Sequence, residues 1–161
     1  MSKMEKFQAP THLTVIAHDI RSLHNVGSIF RSCDAFGVGR LYLTGITGVP
    51  PRKEIAKVAL GSERRVLWEH REDLMALCEE LRLLGFKILA LETGHGSIPI
   101  HMIDREDSVA IILGNEVTGL DGTILSLVDL IVEIPMRGVK KSLNVSVVAG
   151  IALFALTQKK R

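Results

Sequence analysis

Cysteine is scarce: Cys33 and Cys78 are the only two, far apart and each inside an apolar pattern. That excludes a disulfide framework and offers no zinc-ligand spacing, so both read as reduced core residues. Aromatic residues make up 4% of the chain, too few for a base-stacking platform should nucleic acid be the ligand. The opening MSKMEKFQAP lacks the apolar run of a secretory leader. The longest uncharged stretch, 142–158, is barely long enough to span a membrane and contains Asn144, Ser146 and Gln158. A cytoplasmic protein with no membrane segment is expected. The six histidines show neither H-E-x-x-H spacing nor a cysteine partner, so no metal site is expected. No G-x-x-x-x-G-K-[ST] loop is present, and no G-x-G-x-x-G opens a helix after a strand, which removes the usual phosphate-cradling signatures.

Acid is missing from one end. Residues 134–161 carry six basic side chains and no acidic one, residues 21–65 carry eight basic and three acidic, and residues 66–133 carry four basic and thirteen acidic. A net charge of +2 therefore conceals two basic segments around an acidic one. A basic surface built from the two ends would meet a polyanion such as RNA; on charge alone a solvated face fits as well.

With 161 residues, 47% of them hydrophobic, and no repeat or low-complexity stretch, the chain suits a single domain over 1–161. Short apolar runs at 13–17, 40–44, 87–91, 109–113 and 129–134 read as buried strands. Helical patterns lie between them at 26–37, 51–60, 71–85 and 122–128, with Pro51 suited to a first helical turn. The alternation predicts an α/β fold, a mostly parallel sheet with helices on both faces. In such sheets ligands bind beyond the carboxyl ends of the strands, which singles out the loops ETGHGS (92–97), GNEVTGL (114–120) and PMRGVKKSLN (135–144).

The last segment is predicted to form a helix capped by Ser142, with Lys159, Lys160 and Arg161 complementing its end. It is apolar on nearly every side, from Leu143 through Val147, Ile151 and Phe154 to Leu156. One face can cover the sheet and the other meet a second copy, giving a homodimer; deep burial within one chain is the competing reading.

In GNEVTGL, Gly114 and Gly119 allow a sharp turn and close backbone approach, Asn115 can donate and accept, and Glu116 brings a carboxylate to the sheet edge. Taken alone, a tight turn with a solvated glutamate accounts for it equally. In NVGSIFR, Asn25 can cap a helix, Gly27 leaves room above it, and Arg31 follows one turn on, free to reach over that gap or simply to be solvated. His24 and His95 border these loops and are secondary candidates.

Together, N-x-G-x-x-x-R (Asn25, Gly27, Arg31), G-N-E-x-x-G-L (114–120) and I-P-M-x-G-x-x-x-S-L-N-V-S (134–146) resemble, in order, the three signature motifs of the SpoU branch of the SPOUT RNA methyltransferases. The resemblance covers residues 13–156, with Val117 a mild departure. It implies ribose 2′-O-methylation of RNA, with tRNA favoured over rRNA, by a homodimer whose active sites draw on both protomers. It also implies a C-terminal trefoil knot, with a knotted cofactor-binding part over 87–158, and S-adenosylmethionine as cofactor. That cofactor would be held by Leu91, Glu92, Thr93 and Gly94, by Leu113, Gly114, Asn115 and Glu116, and by Ile134, Pro135, Met136, Ser142 and Leu143. Arg31 would be the catalytic arginine, with Asn25, Glu116, Ser142 and Asn144 orienting it, the ribose or the cofactor. RNA would be gripped by Arg21, Arg52, Lys53, Arg64, Arg65, Arg137, Lys140 and Lys141. No added RNA-recognition extension is read at either end, as in minimal single-domain members. A catalytically silent RNA-binding or ribosome-assembly factor is the alternative, and the intact Arg31, Glu116, Ser142 and Asn144 argue against it. A generic α/β nucleotide-binding enzyme would instead prefer a dinucleotide.

Overall fold

Apolar side chains on both surfaces of each central strand organise the molecule. The computed structural model describes residues 12–104 and 108–158 and contains seven strands. These are β1 (Leu13–His18), β2 (Arg40–Thr44), β3 (Trp68–Arg71), β4 (Lys87–Leu91), β5 (Ile98–Pro99), β6 (Val109–Leu113) and β7 (Leu130–Glu133). Every neighbouring pair runs parallel, in the order β3-β2-β1-β6-β4-β7-β5. Side chains alternate across a strand, so Val15, Ala17, Leu41, Leu43, Leu89 and Ile111 enter one core while Ile16, Tyr42, Ile88, Ala90, Ala110 and Ile112 enter a second. Over the first core lie α1 (Leu23–Ala35), α2 (Lys53–Ala59) and α6 (Val145–Thr157), with the short α3 (Ser62–Arg65) beside α1. Over the second lie α4 (Leu74–Leu83) and α5 (Gly122–Leu127). The expected α/β layering, with helices on both faces, is what forms.

All five expected strands are present. The two unforeseen ones, β3 and β5, are the edges of the sheet. At an edge one flank faces outward, so Trp68–Arg71 carries mixed polarity and Ile98–Pro99 needs only two residues. Helix starts also differ from expectation. Ser22, not Asn25, caps α1, its hydroxyl accepting the Asn25 N–H at 3.2 Å. Asn144, not Ser142, caps α6, its side-chain oxygen accepting the Ser146 N–H at 2.8 Å. Pro51 precedes α2, whose cap is Arg52. Lys159, Lys160 and Arg161 lie outside the described residues. Among the described residues no helix is long and apolar enough to cross a membrane.

Because the strands are parallel, the loops after β1, β4, β6 and β7 share one rim. Below it, α6 buries Val145, Ala149, Ala152 and Leu153 against the first core. Val147, Ile151 and Phe154 form a stripe at helical spacing on its other side and remain 48%, 39% and 56% exposed.

Candidate active site

The three loops singled out by sequence converge on a cleft of about 480 Å³ at the rim. Leu91, Glu92 and Thr93 enter it from the end of β4, and Leu113, Gly114, Asn115 and Glu116 from the end of β6. Ile134, Met136, Ser142 and Leu143 contribute from the segment between β7 and α6. Two expected members, Gly94 and Pro135, are not among its lining residues. Gly94 instead forms the turn at which the Ser97 N–H returns to its carbonyl at 2.9 Å, and Pro135 is exposed between two residues that do line the cleft.

The loop 114–120 is held rigidly from within. The Gly119 N–H bonds to the Asn115 carbonyl at 3.0 Å, and the Asn115 side-chain oxygen accepts the N–H groups of Val117 and Thr118 at 2.9 and 3.0 Å. Asn115 also donates its amide to the Asp19 carbonyl at 2.8 Å, which ties the loop to the end of β1. Its polar atoms therefore build the loop. Glu116 extends that tie: its carboxylate accepts the N–H groups of Arg21 and Ser22, both at 3.0 Å, and the Asn25 amide at 3.1 Å. Partial burial pushes this carboxyl upward, but the bonds from Arg21, Ser22 and Asn25 outweigh it and hold Glu116 below the usual carboxylate range. Asn25 and Glu116 thus meet, as sequence suggested, at the amino end of α1, where a negative charge also suits the helix dipole.

Arg31 lies farther along α1, exposed and with no hydrogen bond or ion pair to any described residue. It sits between Gly27 and Asp34 on one helical face. The space over Gly27 is not a gap for it, because α2 fills it: a methyl at Gly27 would stand 2.6 Å from the Ile55 carbonyl oxygen. Asp34 in turn accepts from Arg65 at 2.6 and 3.0 Å and from the Ser62 hydroxyl at 3.0 Å, clamping α3 to α1. The Arg65 hydrogen bonds, with Ser62, hold the Asp34 carboxyl low. None of the lining residues of the cleft comes from α1.

The basic residues divide into groups. Arg21, Arg52 and Lys53 are exposed at the rim, as are Arg137, Lys140 and Lys141 in the loop before α6. Arg64 and Arg65 stand away from that rim, just before β3, and Arg65 is already committed to Asp34. Lys141 also lines the cleft.

Ser142 lines the cleft mouth, and Asn144 accepts the Ser146 N–H and hydroxyl at 2.8 and 2.6 Å, so it fixes the start of α6. A model of the SpoU rRNA Methylase family matches residues 12–154. The chain belongs to this family. Among curated SpoU-type relatives, the tRNA (guanosine(18)-2′-O)-methyltransferase of Aquifex aeolicus is 32% identical over 88% of this chain and 67% of its own. The Thermus thermophilus enzyme of the same name is 33% identical over 88% and 72%. Of solved structures, the A. aeolicus TrmH/SpoU tRNA modifying enzyme superposes with a TM-score of 0.85 at 28% identity, over 97% of this chain and 81% of that one. An AdoMet-bound rRNA methyltransferase from Sinorhizobium meliloti gives 0.84 at 27%, over 90% and 55%.

Within this SpoU cleft some contributors were not foreseen. Glu133 closes β7 and reaches the cleft, a charge ending an apolar strand being the only sequence signal it gave. Val145 and Val148 line it from α6, hidden in a helix whose every side is apolar. His95, a secondary candidate, also lines it, whereas His24 does not.

Proposed function

We propose that this chain is an S-adenosylmethionine-dependent RNA methyltransferase that acts on a ribose 2′-OH of tRNA. The observation that carries the reading is the meeting of three separate loops, two of them bearing signature motifs, at one cleft on the carboxyl rim of a parallel sheet. The cleft suits the cofactor in size, and it combines apolar walls (Leu113, Ile134, Met136, Leu143) with the polar Glu92 and Ser142, as a nucleoside bearing an amino-acid chain requires. Leu91 to Thr93, Leu113 to Glu116, Ile134, Met136, Ser142 and Leu143 are its proposed holders. When bound, the cofactor supplies a methyl group on a positively charged sulfur, already activated for displacement.

The protein's own task is alignment and charge stabilisation. A guanidinium offers hydrogen-bond donors and no acceptor, so Arg31 orients the ribose hydroxyl and stabilises negative charge as the proton departs; it is not the base. We place it at the cofactor site of a partner copy. This is supported by its exposure and by the absence of α1 from the cleft of its own chain. The exposed Val147–Ile151–Phe154 stripe is the proposed homodimer face. Asn25 and Glu116 set the start of the helix that carries Arg31, while Ser142 and Asn144 hold the cleft mouth. Arg21, Arg52, Lys53, Arg137, Lys140 and Lys141, which share the rim, take the RNA backbone. The reading extends to one domain over 1–161, a C-terminal trefoil knot within 87–158 and a cytoplasmic location, where tRNA is modified.

tRNA is favoured by the names of the Aquifex and Thermus relatives; rRNA is the second reading, favoured by that of the Sinorhizobium enzyme. Mass-spectrometric mapping of ribose methylation in tRNA and rRNA from cells with and without the protein decides between them. Purified protein that binds RNA yet transfers no labelled methyl to RNA from the deficient cells would make it a silent binding factor.

A further inference from the structure

The loop 114–120 follows β6, and β6 lies between β1 and β4. On the β1 side the loop is fastened by Asn115 to Asp19 and by Glu116 to the start of α1. On the β4 side its fastening is Glu92. One carboxylate oxygen of Glu92 accepts the Leu120 N–H at 3.1 Å and the other its own neighbour's, Thr93, at 3.0 Å. The approach is possible only because Gly119 has no side chain: a methyl there would stand 2.2 Å from the Glu92 oxygen that takes the Leu120 N–H. Gly119 also has a φ of +65°, which a side chain disfavours.

We propose that Glu92 is a positioning residue, a brace that joins two of the three cofactor loops at the cleft, with Gly119 its steric complement. The inference rests on the proposed function for what the brace serves, not for the brace itself. Both carboxylate oxygens are engaged by backbone N–H groups, so the side chain shapes the loops that receive the cofactor. Charge-assisted bonds of this kind are the stronger class, and releasing one frees the far end of the loop while Asn115 and Glu116 still hold the near end.

Calorimetric titration with S-adenosylmethionine and urea unfolding of the cofactor-free protein test this. Glu92→Ala should weaken binding about tenfold with little change in the urea midpoint, and Glu92→Gln, whose amide keeps one acceptor oxygen, should fall between. Gly119→Ala should be severe in the wild-type background and much milder in Glu92→Ala, where the colliding carboxylate is gone. Losses that simply multiply, or Glu92→Ala binding as the wild type does, would overturn the brace. Wild-type protein that bound no S-adenosylmethionine would sink the proposed function. The brace would then be judged by unfolding alone, where Gly119→Ala must destabilise the wild type more than it does Glu92→Ala.

Discussion

Gly27→Ala offers a sharp test of how α1 is positioned. The added methyl would lie 2.6 Å from the Ile55 carbonyl oxygen, 3.0 Å from the Val58 Cβ and 3.2 Å from the Ala59 nitrogen. The nearest and third of these are backbone atoms of α2, so no side-chain rotation relieves them. Reaching even the 3.0 Å below which such contacts are essentially never found requires the helices to part by about 0.4 Å. Overpacking of this kind costs about 1–3 kcal/mol, offset by about 1 kcal/mol because alanine is the better helix former. We expect a net loss of up to about 2 kcal/mol, a fall in Tm of up to a few degrees for a chain of this size. Urea unfolding followed by circular dichroism reads it as a lower midpoint with an unchanged slope. Gly122→Ala is the control, since nothing lies within 4 Å of its added methyl, and it should be neutral or slightly stabilising. If Gly27→Ala proves as stable as Gly122→Ala, the close α1–α2 contact is wrong, and with it the account of how Arg31 is aimed.

Arg31→Ala should abolish methyl transfer while leaving S-adenosylmethionine affinity nearly intact, because the guanidinium is assigned to the nucleophile; calorimetry showing equal loss of both would refute that assignment. Replacing Lys140 and Lys141 with alanine should weaken RNA binding and lower its salt dependence by about two units of log–log slope, and an unchanged slope would remove the loop from the RNA surface. Glu116 is held below the ordinary carboxylate range in the folded protein, so its contribution is present above about pH 4 to 5 and is lost as pH falls through the lowered value. Glu116→Gln should therefore flatten the decline of urea stability on acidification, and parallel profiles for both proteins would count against the Glu116 bonds to α1. Ile151→Lys should yield monomers by light scattering and lose turnover with little loss of stability, since Ile151 is partly exposed on a helix whose opposite side carries the core contacts; a dimer of unchanged affinity would place the interface elsewhere.

The parallel sheet was legible because its central strands are buried on both surfaces, which forces continuous apolar runs such as VAIIL at 109–113. The site loops were legible because glycine and polar residues interrupt those runs at strand ends. What escaped depends on partners distant in sequence. Nothing near Gly27 announces that Ile55 will press against it, and nothing near Asp34 announces Arg65. Ser22, Asn25, Ser142 and Asn144 are all chemically able to cap; at α1 a tertiary bond accompanies the choice, Asn25 being drawn to Glu116 and Ser22 left at the helix start. The edge strands β3 and β5 gave too little apolar pattern to be seen.

The place of β6 in the sheet bears on how the chain is made. β1 pairs with β2 on one flank and with β6 on the other, residue 13 aligning with residue 109 and residue 17 with residue 113. A ribosome that has delivered only the first hundred residues therefore holds β3-β2-β1 with the outer flank of β1 bare, and β4 and β5 without any of the strands that will pair with them. Non-local closure of this sort is slow, and open borders recruit other nascent strands. Synthesis rate and chaperone supply during that interval should govern yield, and stalling translation just before Val109 should give the most aggregation-prone intermediates.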